Sequence, residues 1–202
     1  MKSLKGWSIV GLVLLFLVIS CVVIYSLNET LLGSVRIFIR YTARSSVILF
    51  SLSFLTSALY QKWPNQTTMW LMQNRKYLGI SFAVSHLLHG IAIITFYNLN
   101  SNDFYLATTK LSFIFGGFGY ICLLMLSLTS FDFYKTKIPK KKWQLLHLFC
   151  SYSIWAVFFL SFLKRAVQLS FYYWIPVVLM VGMLYLRLIL KNHNRGLVSA
   201  IK

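Results

Sequence analysis

Acidic residues are the scarcest feature of this 202-residue chain: Glu29, Asp103 and Asp132 are its only carboxylates, against twenty Lys and Arg. None of the three lies inside a long apolar run, which excludes paired-carboxylate acid–base chemistry and a carboxylate-rich metal cage. Charge of either sign is sparse, at 11% of residues, and there are three cysteines. Cys21, Cys122 and Cys150 sit within apolar runs and lack the pair spacing of a zinc site, so they read as small hydrophobes rather than as a disulfide framework. Val18-Ile19-Ser20-Cys21 outlines a lipoprotein cleavage box, yet the apolar run continues through Tyr25 as an uncleaved helix does. A Gly-rich phosphate loop is also missing, and no segment between the apolar runs is long enough for a nucleotide- or flavin-binding unit. Any electron or substrate donor is therefore expected to be another protein or a lipid-soluble molecule.

What is abundant is apolar: 58% of residues are hydrophobic and the mean hydropathy is +0.72, outside the range of soluble domains. The net charge of +17 is carried by cations at the ends of apolar runs, not by a patch with readout aromatics. The expected partner is the lipid bilayer, not nucleic acid.

A bilayer core of about 30 Å needs about 20 apolar residues per helix. Six runs meet this: Trp7–Ser26, Ile37–Tyr60, Tyr77–Tyr97, Leu106–Thr129, Trp143–Leu163 and Phe171–Leu190. They predict an all-α, six-helix membrane bundle forming a single domain over residues 1–202. Trp63-Pro64-Asn65, Asn98 to Asp103 and the Pro139 segment supply the turns, and Trp7, Tyr25, Tyr60, Trp63, Tyr97, Trp143 and Tyr173 stand near run ends, where amphipathic rings favour the interface. Fourteen cations fall on one side, among them Lys2, Lys5, Lys62, Lys76 and the Lys135 to Lys142 cluster; six fall on the other, namely Arg36, Arg40, Arg44, Lys110, Lys164 and Arg165. The positive-inside rule then puts both termini in the cytoplasm and runs the third and fifth spans in the same direction.

Ionisable side chains inside a span are costly and mark function by default. His86 and His89 stand one turn apart in the third span, and His147 lies early in the fifth, followed one turn later by Cys150. Imidazoles from two helices of a bundle can hold a b-type haem iron; the alternative is that each histidine hydrogen-bonds a neighbouring helix and only packs. His193, in the polar tail, reads as solvated. Arg36, Arg40 and Arg44 recur every fourth residue as one cationic stripe, suited either to haem propionates or another anion, or to snorkelling towards lipid phosphates. Gly116-Gly117-Phe118-Gly119 permits close helix approach or clearance for a flat ligand. Asn28-Glu29-Thr30 and Asn65-Gln66-Thr67 match a glycosylation pattern, but the second falls on the expected cytoplasmic side.

Arg75-Lys76-Tyr77-Leu78-Gly79-Ile80 leading into Ser85-His86-Leu87-Leu88-His89, Trp143-Gln144-Leu145-Leu146-His147, and a fourth span ending at Leu126 to Ser130 before a basic loop resemble the ferric-reductase-like transmembrane domain superfamily over roughly residues 35 to 190. Within it the likeness is to the haem-binding membrane subunit of the periplasmic methionine sulfoxide reductase system. The resemblance implies a membrane cytochrome of b type, the electron-transfer component of an oxidoreductase, in the inner membrane of a bacterium. It takes electrons from quinol or a separate redox protein and passes them to an outer-side acceptor protein. On that pattern His89 and His147 are haem ligands, while the second histidine of the fifth span is replaced by Leu160.

Helical rise tests which histidines meet. Counted from Lys76 and Lys142, His86 lies about 15 Å in, His89 about 20 Å and His147 about 8 Å, which favours His86 as the partner of His147. The resemblance favours His89, so His86, His89 and His147 all stand as candidate iron ligands, with Arg40 and Arg44 as candidate propionate partners. A haem-free scaffold or assembly partner of the same fold, supported by Leu160, and a small-solute transporter are the rival expectations. Reporter fusions after Lys142 and after Lys202 are expected to report cytoplasm and a fusion near Asn100 the far side; a far-side signal after Lys142 refutes the assigned orientation.

Overall fold

The computed structural model describes the backbone of residues 4–200 and the side chains of residues 4–189. His193 and the cations beyond Arg187 lie outside the described side chains. Among the described residues eight α-helices follow in order: α1 (Trp7–Leu27), α2 (Leu31–Lys62), α3 (Gln66–Leu99), α4 (Ser101–Ala107), α5 (Lys110–Leu128), α6 (Asp132–Lys135), α7 (Lys140–Gln168) and α8 (Trp174–Ala200). No strand occurs among the described residues, and α1, α2, α3, α5, α7 and a stretch of Phe171–Ile189 ending in α8 are each long and apolar enough to cross a membrane. The protein is an all-α, multi-pass membrane protein with six spans.

The helices overrun the apolar stretches because hydropathy marks the length buried in lipid, whereas hydrogen bonding sets the length of the helix. α2 begins at Leu31 instead of Ile37, capped by Thr30, whose hydroxyl accepts from the Gly33 amide. α3 begins at Gln66 instead of Tyr77 through a reciprocal cap: Asn65 accepts from the Thr68 amide while Thr68 accepts from the Asn65 amide. Both glycosylation-like tripeptides thus contain a helix cap. The fourth span starts at Lys110 rather than Leu106, because Thr108 and Thr109 are extended and the Thr109 hydroxyl caps α5 by accepting from the Ser112 amide. Leu106 belongs to the short α4, which is held to α2 and α3 by the Arg36–Asp103 ion pair at 2.8 Å and by Phe104 packed on Phe96 and Tyr97.

The centre of the molecule is the α2–α3 pair. Small and hydroxylated residues, Thr42, Ala43, Ser46 and Ser85, lie buried along the contact. Ser85 Oγ stands 2.9 Å from Ser45 Oγ and 3.0 Å from Ser46 Oγ. Lacking a hydrophobic drive between them in lipid, helices associate through such close packing and hydrogen bonds. Around this pair Phe50, Phe54, Phe82, Cys122, Cys150, Phe158, Met180 and Met183 form the main core, shared by α2, α3, α5, α7 and α8. All three cysteines are free, and Cys122 and Cys150 are packed in the core as small hydrophobes. Of the α5 glycines, only Gly119 faces a neighbour: a Cβ there would touch Val157 Cγ1 of α7 at 3.5 Å, while Gly116 and Gly117 have open space. α1 is stitched to α3 at its start. There Gly6, with a φ of 66°, presents its amide to Asn74 Oδ1 at 3.0 Å, and the Trp70 indole N–H donates to the Leu4 carbonyl.

Ser85→Ala is expected to cost about 0.6 kcal/mol, the average for an interhelical hydrogen bond in a membrane. Ser85→Leu, which overpacks the same contact, is expected to cost about 1–3 kcal/mol. Detergent-denaturation midpoints of the two variants check the order; equal midpoints would show that the helices do not meet through Ser85.

Candidate functional site

His86 and His89 point from α3 into the bundle at a level set by aromatic neighbours. The His86 ring lies 4.8 Å from Tyr120 of α5, 5.2 Å from Phe158 of α7, 5.7 Å from Phe82 and 5.2 Å from the His89 ring, against which it stacks with 22° between planes. The Tyr120 hydroxyl donates to the His86 carbonyl at 2.9 Å. His86 Nδ1 is buried and has no hydrogen-bond partner. A Cβ added at Gly90 would come within 2.8 Å of the Tyr120 hydroxyl oxygen, so glycine makes room for this tyrosine to reach α3.

His89 is held differently. Its Nδ1 lies 3.0 Å from the Ile39 carbonyl and 3.2 Å from Thr42 Oγ1. A carbonyl only accepts, and the Thr42 hydroxyl proton is directed at the Phe38 carbonyl at 2.7 Å. Nδ1 therefore carries the proton and Nε2 carries the free lone pair. This is the arrangement in which histidine serves as a metal ligand, the remote N–H being anchored to a carbonyl.

His147 shows the reverse. Its Nε2 lies 2.9 Å from Thr129 Oγ1, whose own proton goes to the Met125 carbonyl at 2.6 Å, so Nε2–H of His147 is the donor. The indole of Trp143, whose ring centre lies 4.2 Å from that of the imidazole at a tilt of 36°, donates to the Thr129 carbonyl. His147 and Trp143 together clamp α7 onto the end of α5.

The expected depth match between His86 and His147 is not what the fold contains. Phe158, the α7 residue beside His86, is eleven residues beyond His147, about 16 Å along the helix. The count treats Lys76 and Lys142 as level. Arg75 instead acts electrostatically on His147, which stands five residues beyond Lys142, while α3 itself begins ten residues before Lys76, whose Nζ is 3.8 Å from Asp132. No group of three or more His, Cys, Asp or Glu able to hold a metal occurs among the described residues.

Arg40 and Arg44 are likewise not at the histidines. They line a groove of about 480 Å³ with Ile19, Ser20, Val23, Ile24, Ile37 and Tyr41, between α1 and α2. The helical turn of about 100° per residue places both on the side of α2 away from Ile39 and Thr42, which face His89. Arg36 of the same stripe is neutralised by Asp103. Sequence reading missed Thr42, Tyr120, Phe158 and Thr129. Only the hydroxyl-rich run from Thr42 to Ser46 hinted at a polar face within an apolar span.

Histidine-selective 15N spectra of the protein in mild detergent are expected to find His89 protonated at Nδ1 and His147 at Nε2. Thr129→Val, which leaves the His147 N–H buried without an acceptor, is expected to cost about 1–3 kcal/mol of stability. An Nδ1–H form at His147 would break the assigned clamp.

No curated protein and no solved structure matches the chain. A family model does: the ferric reductase like transmembrane component, over residues 42–163. That stretch is more than half of the chain and takes in Thr42, His86, His89, Tyr120, Thr129, His147 and Phe158. The chain therefore belongs to the ferric reductase like transmembrane component family.

Proposed function

We propose that this membrane electron-transfer component carries one b-type haem on the α3 face of the bundle, with His89 as its protein ligand. The observation behind this reading is the His89 Nδ1–H donated to the Ile39 carbonyl, which leaves Nε2 free. The donor set fits a single axial imidazole. It does not fit the bis-histidine arrangement expected between the third and fifth spans, because His147 lies about 16 Å along α7 from Phe158, the residue that stands beside His86; with its Nε2–H given to Thr129, His147 keeps its lone pair on Nδ1. His86 cannot serve as the opposite ligand either: it is on the same helix as His89, and the two rings stack side by side.

When bound, haem supplies a one-electron carrier within the membrane. The chain supplies the rest. His89 would hold the iron, Ile39 and Thr42 orient its ring, and Phe82, Tyr120 and Phe158 exclude water around His86, which stacks beside it. In the same reading residues 1–202 form one domain with both termini in the cytoplasm of a bacterial inner membrane. Quinol or a separate redox protein is the donor, and an outer-side protein is the acceptor.

A second reading, a haem-free scaffold or assembly partner of the same fold, is favoured by Phe158, whose ring stands directly against His86 where a cofactor would separate α3 from α7. The visible spectrum of the full chain, expressed with haem supply and purified in mild detergent, decides between them. A Soret band is expected, lost in His89→Ala and kept in His86→Ala and His147→Ala. A wild-type protein with no Soret band establishes the scaffold; loss in His147→Ala alone restores that residue to the iron.

A further inference from the structure

The groove between α1 and α2 lies on the side of α2 away from His89, with Arg165 acting electrostatically on both, and its chemistry is amphiphilic. One part of its lining is aliphatic, from Ile19, Val23, Ile24 and Ile37, and another is the pair of guanidinium groups of Arg40 and Arg44. The Arg44 guanidinium lies 5.1 Å from the centre of the Tyr172 ring, in the connection between α7 and α8. A third guanidinium, Arg165 of α7, is close enough to interact electrostatically with both. No carboxylate balances these three cations: the ion pairs among the described residues are Arg36–Asp103 and Lys76–Asp132. Unbalanced cations grouped within a bilayer are costly and call for an anion.

Geometry adds the second requirement. The Ser20 and Tyr41 hydroxyls meet at 2.8 Å, which fixes α1 against α2 at this level. Ser20 is seven residues before the end of α1, about 10 Å below the α1–α2 turn. Helical side chains lean towards the start of their own helix, so Arg40 and Arg44 lean towards the membrane face that carries this turn. An anion held there must also accept an apolar wall beside it. A free inorganic ion has no use for that wall, whereas a lipid phosphate with its acyl chain lying along Ile19, Val23 and Ile24 fits both parts.

We infer that the α1–α2 groove is a binding site for one anionic glycerophospholipid, whose phosphate is held by Arg40 and Arg44 and whose acyl chain lies along the aliphatic wall of α1. Arg165 reinforces the positive field, and Tyr172 keeps Arg44 at the mouth of the groove. The inference does not depend on whether haem is bound.

The full chain is placed in nanodiscs of zwitterionic phosphatidylcholine, and binding of added phosphatidylglycerol is followed by native mass spectrometry. Wild-type protein is expected to retain one phosphatidylglycerol. Arg40→Gln/Arg44→Gln is expected to bind it about thirtyfold more weakly, as two guanidiniums on an anionic head group imply. Arg40→Lys/Arg44→Lys, which keeps the charge, is expected to retain most of the binding, and Arg36→Gln, which removes a cation already paired to Asp103, to retain all of it. Equal weakening in Arg36→Gln reduces the effect to general surface charge and overturns the site. Displacement of the lipid by millimolar inorganic phosphate makes it a free-anion site, and unchanged binding in the Gln double variant removes the arginines from it. Loss of haem from that variant with lipid binding intact would return Arg40 and Arg44 to the propionates.

Discussion

The fit between α2 and α3 is the constraint on which the rest of this molecule depends. A helix pair in lipid gains nothing from hiding Leu or Phe from hydrocarbon, so it must gain from close approach and hydrogen bonds. Thr42, Ser45, Ser46 and Ser85 provide both, with hydroxyl contacts near 3 Å at the middle of two helices of 32 and 34 residues. Because Thr42 and the Ile39 carbonyl belong to the same contact, the packing of α2 on α3 also determines which nitrogen of His89 is protonated. The helix pairing and the chemistry of the site rest on one set of side chains.

A second theme is how so basic a chain places cations in a membrane with only three carboxylates. Several of the half-buried or interfacial cations have their own solutions. Arg36 takes Asp103 and stacks on Phe96; Lys76 takes Asp132. Arg187 donates to the Phe54 carbonyl and lies over the rings of Phe54 and Tyr152, and Lys164 bridges the hydroxyls of Thr109 and Ser112. Aromatic faces and carbonyls stand in for missing acids, as the quadrupole of a ring and the dipole of a peptide allow. Arg40, Arg44 and Arg165 are three cations close enough to act on one another with no carboxylate paired to any of them, which is why the groove lined by Arg40 and Arg44 invites a ligand from the bilayer.

Family membership and local geometry together restrict what the histidines can do. Belonging to the ferric reductase like transmembrane components places the chain among membrane electron-transfer components. Three intramembrane histidines would ordinarily suggest ligand pairs, yet here they divide by proton position. His89 is free at Nε2, His147 is engaged at Nε2, and His86 is enclosed at Nδ1 between aromatic rings.

The sequence by itself determined the class of protein, the six spans and the residues worth testing. Hydropathy and charge scarcity are properties of a segment and survive without its neighbours, so Trp7–Ser26 and Trp143–Leu163 could be read directly. The caps at Thr30 and Asn65 were not read, because both tripeptides match a glycosylation pattern. What only the tertiary structure decided was level and facing. Lys76 looked like a membrane boundary level with Lys142, but its neighbour Arg75 acts on His147, five residues further along α7, so the depth count from it misplaced His86 relative to His147 by about 9 Å, a little under two turns. Arg40 and Arg44 looked like part of one stripe with Arg36, but Asp103 claims Arg36 while α1 claims the others' groove. The relative register of two helices, and the proton on each imidazole, are set by partners 18 to 67 residues away in the chain, and no local pattern encodes them.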